Sequence, residues 1–165
     1  MDKFIKMNKK GFLLAEETLK IVIALISISF LIYFLVSLYM ANQDSKNLEL
    51  AKSSLDHLVE EINSGSTEVE IYNPQGWVVL SWPNEGKSPK SCENLNWDNC
   101  LCICNDLGFQ TSNSYLDRCD DQGICMQVLK KTIVGGFIGQ HPLTIERPFL
   151  SLEIKYGNEI IINKK

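Results

Sequence analysis

The six cysteines are the residues of this chain with the widest choice of chemistry. They are Cys92, Cys100, Cys102, Cys104, Cys119 and Cys125. Their thiolates could ligate a soft metal ion or attack an electrophile, and pairs of thiols could oxidise to disulfides. Structural zinc sites favour C-x2-4-C knuckles, whereas here C-x-C-x-C is followed by gaps of 14 and 5 residues with no histidine close by. The spacing therefore favours disulfides, and we expect no metal and no cofactor.

The triplet C-x-C-x-C at residues 100–104 restricts how disulfides can pair. If this segment is extended, its three sulfurs share one face, with neighbouring Cα atoms about 6.6 Å apart and parallel side chains. Pairing within the triplet is unfavourable in that geometry. Each member would then take one partner from Cys92, Cys119 and Cys125, which leaves open six of the 15 formal connectivities that six cysteines allow.

No recognisable catalytic motif accompanies the cysteines. His57 falls on the polar side of a helical pattern and His141 precedes a proline, so we interpret both as solvated or locally hydrogen-bonded side chains. The chain has no G-x-S-x-G, H-E-x-x-H or P-loop pattern. The GGFIG stretch at 135–139 is interpreted as a turn, with an apolar contact patch as the alternative. We therefore predict no catalytic residues and no enzyme.

Composition and charge exclude several classes of protein. The chain has 165 residues, of which 45% are hydrophobic and 22% charged, which excludes a disordered or collagen-like protein. Its formal net charge is −4 and its basic residues are scattered, so no nucleic-acid partner is indicated. These averages combine two unlike parts of the chain. Residues 21–41 carry no charge, whereas residues 42–165 are polar and carry charges of both signs.

Residues 21–41 are the predicted transmembrane segment. As a helix they would be about 31 Å long, which matches a hydrocarbon core of about 30 Å. A cleavable secretory signal would have a shorter apolar core of about 7 to 15 residues. Basic residues precede the segment and residues 42–63 hold more acids than bases, so the positive-inside rule predicts a cytoplasmic amino end. We predict a single-pass cell membrane protein whose part beyond Ala41 is extracytoplasmic.

The motif directly before this segment is the most informative part of the sequence. Residues 9–17 read KKGFLLAEE, a basic pair, a glycine, a short apolar block and carboxylates. The motif resembles the leader of type IV prepilins and the similar class III signal peptides. The resemblance implies that a prepilin peptidase cleaves between Gly11 and Phe12, that Phe12 becomes a methylated first residue, and that Glu16 becomes the fifth. Leu13 departs from the bacterial pattern, which usually has threonine there.

Glu16 has a physical role in such an assembly. A carboxylate at membrane depth costs about 2.5 to 3.5 kcal/mol unless something compensates it. In axially staggered subunits, Glu16 of one chain would neutralise the new amino group of Phe12 in its neighbour. The alternative is an ordinary interfacial flank, in which Glu16 pairs with Lys20 of the same chain at i,i+4.

The resemblance implies a structural subunit of an extracellular type IV pilus-like filament. The implied partners are further copies of the chain in a helical filament, a prepilin peptidase, and a pilus assembly ATPase with its membrane platform. Membrane lipid would surround the apolar helix before assembly. Two other functions stay open. One is an uncleaved, signal-anchored ectodomain that acts as a receptor or adhesin, and the other is a membrane-tethered redox or metal domain.

Hydrophobic periodicity predicts the element that carries this motif. Beyond Ala41 the apolar residues recur every three or four positions, as in an amphipathic helix, at Leu48, Ala51, Leu55, Leu58 and Ile62. Neither proline nor glycine interrupts residues 12–62. We therefore predict one long helix, whose first half lies in lipid and whose second half packs against a domain.

The remaining sequence predicts short strands. TEVEIY and WVVLSW, on either side of an NPQG turn, are predicted to form a hairpin. FLSLEIKY and EIIIN are predicted to pair through a two-residue turn at Gly157-Asn158. Trp77 and Trp82 are five residues apart on one predicted strand, which places them on opposite faces, as buried anchors or as exposed grips for a glycan.

Together these patterns predict an α+β fold in three parts. Residues 1–11 are a basic leader, residues 12–65 a long helix that spans the membrane at 21–41, and residues 66–165 a β-rich extracytoplasmic head. The head is predicted as a small antiparallel sheet whose long loops are held by disulfides.

Overall fold

The structure, a computed structural model, describes residues 9–83, 86–105, 112–135 and 142–165, with the side chains of all but residues 9–16 and 112–114. The chain divides into two compact units, Met1–Asp44 and Ser45–Lys165. One helix, α1 (Lys9–Ser64), contributes residues to both units. Its 56 residues confirm the prediction of a long, uninterrupted amino-terminal helix.

The carboxyl end of α1 is fixed by a Schellman motif. Gly65 has a φ of 83°, in the left-handed region that favours glycine. Its N–H donates to the carbonyl of Ile62 at 3.2 Å, and the N–H of Ser66 donates to the carbonyl of Glu61 at 3.0 Å. The hydroxyl of Tyr156 donates to this turn from a distant strand, 3.1 Å from the Ile62 carbonyl and 2.8 Å from that of Ser66. These contacts satisfy carbonyls that a helix end leaves without partners.

The Ser45–Lys165 unit contains two four-stranded sheets, with strand orders β1-β7-β8-β5 and β4-β3-β2-β6. The described strands are β1 (Glu68–Ile71), β2 (Trp77–Trp82), β3 (Cys100–Asn105), β4 (Gly123–Gln127), β5 (Thr132–Val134), β6 (Leu143–Thr144), β7 (Leu150–Tyr156) and β8 (Ile160–Lys164). Two short helices accompany them, α2 (Lys90–Asn94) and α3 (Ser112–Gln122). The α+β class is confirmed, but β5 and β8 are parallel, so the first sheet is mixed rather than wholly antiparallel.

The predicted hairpin between TEVEIY and WVVLSW is wrong. β1 pairs with β7, with Val69 opposite Leu152, whereas β2 pairs with β3 and β6 in the other sheet. Residues 73–76 do contain a turn, in which the N–H of Trp77 donates to the carbonyl of Pro74 at 3.4 Å and Gly76 has a φ of 78°. Turn residues mark a turn but do not determine which strands pair with one another.

The second predicted hairpin is confirmed, with a longer turn. β7 and β8 are antiparallel, and Tyr156 lies opposite Ile160. The loop therefore contains three residues rather than two, Gly157, Asn158 and Glu159. The N–H of Gly157 donates to the carbonyl of Glu159 at 3.1 Å and closes the loop.

The carboxyl-terminal part of α1 packs into the main hydrophobic core. Ala51, Leu55 and Leu58 are fully buried and Ile62 nearly so, which confirms the predicted stripe, whereas Leu48 at its start is 36% exposed. The buried faces of both sheets contribute to the same core. The sheet residues in it include Val69, Val79, Leu101, Ile103, Leu152, Ile154 and Ile162.

Leu55→Ala is expected to destabilise the protein by about 2–5 kcal/mol, because it leaves a cavity in this core. Leu50→Ala is the matched control, since the same change on the same helix removes a side chain that is 40% exposed. We expect the control to change the free energy of unfolding by less than about 0.5 kcal/mol. Denaturant unfolding of the full chain in detergent micelles measures both. Equal losses in the two variants would contradict the packing of α1 described above.

Tyr156→Phe is expected to cost about 0.5–1.5 kcal/mol, since it removes the hydroxyl that bonds to the end of α1. Tyr72→Phe is its control. The Tyr72 hydroxyl also donates a hydrogen bond, at 2.6 Å, but its acceptor is the carboxylate of Glu70 at an exposed site. The same unfolding measurement should show little change in the control, and an equal change would argue against a role for Tyr156 in ending the helix.

Candidate functional site

The part of α1 from Ile21 to Ala41 carries no charge and exposes apolar side chains on all sides. Every large apolar side chain from Leu19 to Met40 is at least 50% exposed. From Glu17 onwards α1 is long and apolar enough to cross a membrane, and it is the one helix of the described chain with that property. A helix that is apolar on all sides needs lipid or other apolar helices around it.

Two serines within this segment are compatible with an apolar environment. The hydroxyl of Ser27 donates to the carbonyl of Ile23 at 2.8 Å, and that of Ser29 donates to the carbonyl of Leu25 at 2.9 Å. Bonds to the carbonyl one turn earlier satisfy a hydroxyl without water. Both serines can therefore face lipid or another helix at little cost in unsatisfied hydrogen bonds.

Residues 9–11 of the predicted leader belong to α1. The bond between Gly11 and Phe12 therefore lies within the described helix, and Glu16 follows Phe12 by about one turn. The side chains of Phe12 and Glu16 lie outside the described part. Their roles in cleavage and assembly stay predictions.

The six cysteines form three disulfides, which confirms that they serve as cross-links. The bonds are Cys92–Cys100, Cys102–Cys125 and Cys104–Cys119. Each joins one member of the triplet to one cysteine outside it, so the set is one of the six pairings that the sequence left open. None of these six cysteines is free. With every sulfur oxidised, the cluster offers no thiolate for a metal ion or for nucleophilic attack.

The disulfides attach three different elements to one face of β3. Cys125 lies directly opposite Cys102 on β4, whereas Cys119 belongs to α3 and Cys92 to α2. All six cysteines are buried, with at most 8% exposure. The sulfur of Cys102 lies within 4.8 Å of those of Cys92 and Cys125, and also of those of Cys104 and Cys119. The cross-links thus form one continuous sulfur cluster that holds α2 and α3 on the sheet.

The tryptophans of β2 lie on opposite faces of the sheet, as predicted. Trp77 is 6% exposed and packs in the main core, whereas Trp82 is 4% exposed and packs with the disulfide cluster. Because both rings are buried, neither tryptophan is accessible to bind a glycan, which was the alternative role. The indole N–H of Trp82 is buried and has no acceptor among the residues that the structure describes.

The remaining candidates from the sequence do not converge on a reaction centre. His57 is exposed on α1, as predicted. Gly135 has a φ of 89°, which fits the interpretation as a turn. The rest of that stretch, and His141, lie outside the described residues.

A groove that the sequence did not indicate lies between α1 and β1. Its volume is about 250 Å³. The residues that line it are Leu50, Ser53, Ser54 and His57 from α1, and Glu70, Ile71, Tyr72 and Asn73 from the edge of the sheet. The hydrogen bond from Tyr72 to the Glu70 carboxylate, with smaller effects of desolvation and charge, raises the pKa of the Tyr72 phenol. The ring of Tyr72 packs against Phe149, with 5.9 Å between the ring centroids.

The strand beside this groove has a signal in the sequence, but the groove itself does not. Alternation of Glu68 and Glu70 with Val69 and Ile71 indicates a half-buried strand, and the structure agrees. The position of α1 next to that strand depends on packing between distant parts of the chain, which no local pattern specifies.

Comparison of the chain with known proteins finds no matching family model, no similar curated protein and no similar solved structure.

Proposed function

We propose that this chain is a structural subunit of an extracellular type IV pilus-like filament. In this proposal a prepilin peptidase removes residues 1–11 on the cytoplasmic side of the membrane. An assembly ATPase and its membrane platform then move the subunit from the bilayer into the filament. The disulfide-linked head carries no catalytic role and forms the outer surface of the polymer.

The observation that carries the proposal is the KKGFLLAEE motif immediately before a helical segment that is apolar on all sides. The motif resembles prepilin leaders in three features: the glycine, the apolar block that follows it, and the carboxylate at Glu16. A simple membrane anchor needs neither that glycine nor a carboxylate near membrane depth, where an uncompensated charge costs about 2.5 to 3.5 kcal/mol.

The apolar segment stabilises the assembled filament in water. Burial of apolar surface from water is worth about 25 cal/mol per Å². A subunit that leaves the bilayer must cover its apolar helix again, and packing against the same segment of neighbouring subunits achieves this. Glu16 sets the axial register, because a neighbour that brings its Phe12 amino group to this carboxylate compensates the charge.

An uncleaved, anchored ectodomain is the second candidate. It is supported by the length of residues 21–41, which suffice to span a bilayer without any processing. The head would then act as a receptor or adhesin at the cell surface.

Amino-terminal sequencing and intact mass of the native protein distinguish the two candidates. The filament proposal requires that residues 1–11 are missing and that the chain begins with methylated Phe12. A chain that begins at a methionine and retains the leader would refute the filament proposal and leave the anchored ectodomain.

A further inference from the structure

We propose that the open edge of β1 and the groove beside it bind an extended basic peptide as an additional antiparallel strand. This surface lies within the Ser45–Lys165 unit. The inference holds whether the head sits on a filament or on an anchored chain, so it can fail or succeed independently of the proposed function.

The hydrogen bonds of β7 show which backbone groups of β1 remain open. The N–H of Ile154 donates to the carbonyl of Thr67 at 2.8 Å, and the N–H of Lys165 donates to the carbonyl of Ser151, on the other side of β7, at 3.0 Å. Backbone groups alternate between the two sides of an antiparallel strand. Val69 and Ile71 therefore point their N–H and C=O towards β7.

By the same alternation, Glu68 and Glu70 point their backbone groups away from β7, towards the open edge. No backbone group elsewhere in the described chain bonds to them there. Such a row of unpaired N–H and C=O groups is a template for a further strand. Peptides that bind by strand addition gain their affinity from this kind of edge.

The groove leaves room for that strand. The wall formed by α1 consists largely of short or polar side chains, Ser53, Ser54 and His57, with Leu50 at one end. A further strand would lie about 4.7–4.9 Å from β1, the normal spacing in a sheet. The groove volume of about 250 Å³ accommodates the inward side chains of a short segment.

The negative charge of this edge favours a positively charged peptide. The side chains of Glu68 and Glu70 project from the exposed face of the sheet. Lys165 bonds to Glu68 at 2.7 Å, but this exposed pair is worth only about 0–1 kcal/mol and a lysine of a partner can replace it. An added strand would place its own side chains directly opposite these glutamates, where opposite charges stabilise and like charges destabilise.

The same charges argue against a second copy of β1 as the occupant. Two β1 strands paired edge to edge would bring glutamates opposite glutamates, and charged residues on an edge are a common protection against such self-association. A strand with alternating lysines escapes this repulsion. An exposed aromatic pair at the groove, Tyr72 and Phe149, offers an apolar contact for one of its end residues.

The test measures binding of a fluorescent peptide, acetyl-KVKVK-amide, to the full chain in uncharged detergent micelles. In the antiparallel register the lysine opposite Glu70 exchanges both backbone hydrogen bonds with it. We expect saturable binding and at least tenfold slower amide hydrogen exchange at Glu70. N-methylation of the lysine amides should abolish binding, whereas N-methylation of the valine amides, which face away from β1, should preserve it.

Charge reversal provides the matched pair of variants. Glu70→Lys should weaken KVKVK binding at least tenfold and should favour acetyl-EVEVE-amide instead. Glu159→Lys changes charge equally but lies in the β7–β8 turn, outside the groove, so its affinity for KVKVK should match that of the unmodified chain. Circular dichroism establishes that both variants fold.

Three outcomes would overturn the proposal. One is equal binding of KVKVK and EVEVE to the unmodified chain, and another is indifference to the position of N-methylation. The third is a dimer that protects the Glu68 and Glu70 amides in the absence of peptide, because the edge would then belong to a second copy of the chain.

Discussion

A Gly11→Val chain is expected to keep residues 1–11 and to remain in the membrane without forming filaments. Under the proposed function, the peptidase recognises the small residue on the leader side of the bond that it cleaves. A β-branched side chain at Gly11 would block that recognition. Without cleavage Phe12 has no free amino group, so Glu16 of a neighbouring subunit has no cation to meet. Intact mass of the membrane fraction measures cleavage, and electron microscopy of the cell surface measures filaments.

Ala15→Val is the matched control for this variant. It also replaces a small residue with valine in the first turns of α1, but it lies beyond the proposed cleavage site. Cleavage and filament formation should persist in the control. Loss of the leader in the Gly11→Val chain, or filaments built from uncleaved chains, would contradict the proposed function.

The helix and its apolar faces could be predicted because their signals are local. A run of residues 12–62 without proline or glycine, with an apolar period of three and four, is sufficient to specify a helix and its buried stripe. Leu48 is the instructive exception. It fits the period, yet it is 36% exposed and lies outside the core into which the rest of the stripe packs.

The sheets could be predicted only in part, because strand pairing is not local. The β7–β8 hairpin can be predicted, because a short turn holds its two strands next to each other. β1 and β2 look equally like a hairpin, but β1 finds its partner about 80 residues later in β7. The cysteines show the same limit. Strand geometry at residues 100–104 excludes pairing within the triplet, whereas the choice among the remaining pairings depends on where α2 and α3 pack.

Reduction of all three disulfides is expected to unfold the head. In the chain-entropy model, loops closed across 8, 15 and 23 positions are worth about 2.5, 3 and 3.4 kcal/mol. The Cys104–Cys119 loop lies within the Cys102–Cys125 loop, so their effects overlap and the total is about 6–9 kcal/mol. Domains of this kind are stable by only about 5–15 kcal/mol. Near-UV circular dichroism of the full chain in micelles, with and without a phosphine reductant, measures the loss of fixed packing.

Single-bond variants test whether loop closure is the cause. Removing the Cys102–Cys125 bond with Cys102→Ala and Cys125→Ala should cost about as much as removing Cys92–Cys100 with Cys92→Ala and Cys100→Ala, about 2.5 kcal/mol each, because the retained Cys104–Cys119 bond shortens the longer loop to about the length of the shorter one. Each pair deletes two buried sulfurs, so the loss of packing is matched between the variants. Denaturant midpoints provide the comparison, and intact mass shows that the other two bonds have formed. If the short loop proved the more costly, the bond between α2 and β3 would stabilise the head through packing in the native state. The cluster would then act by holding α2 on the sheet, and loop entropy would be the smaller effect.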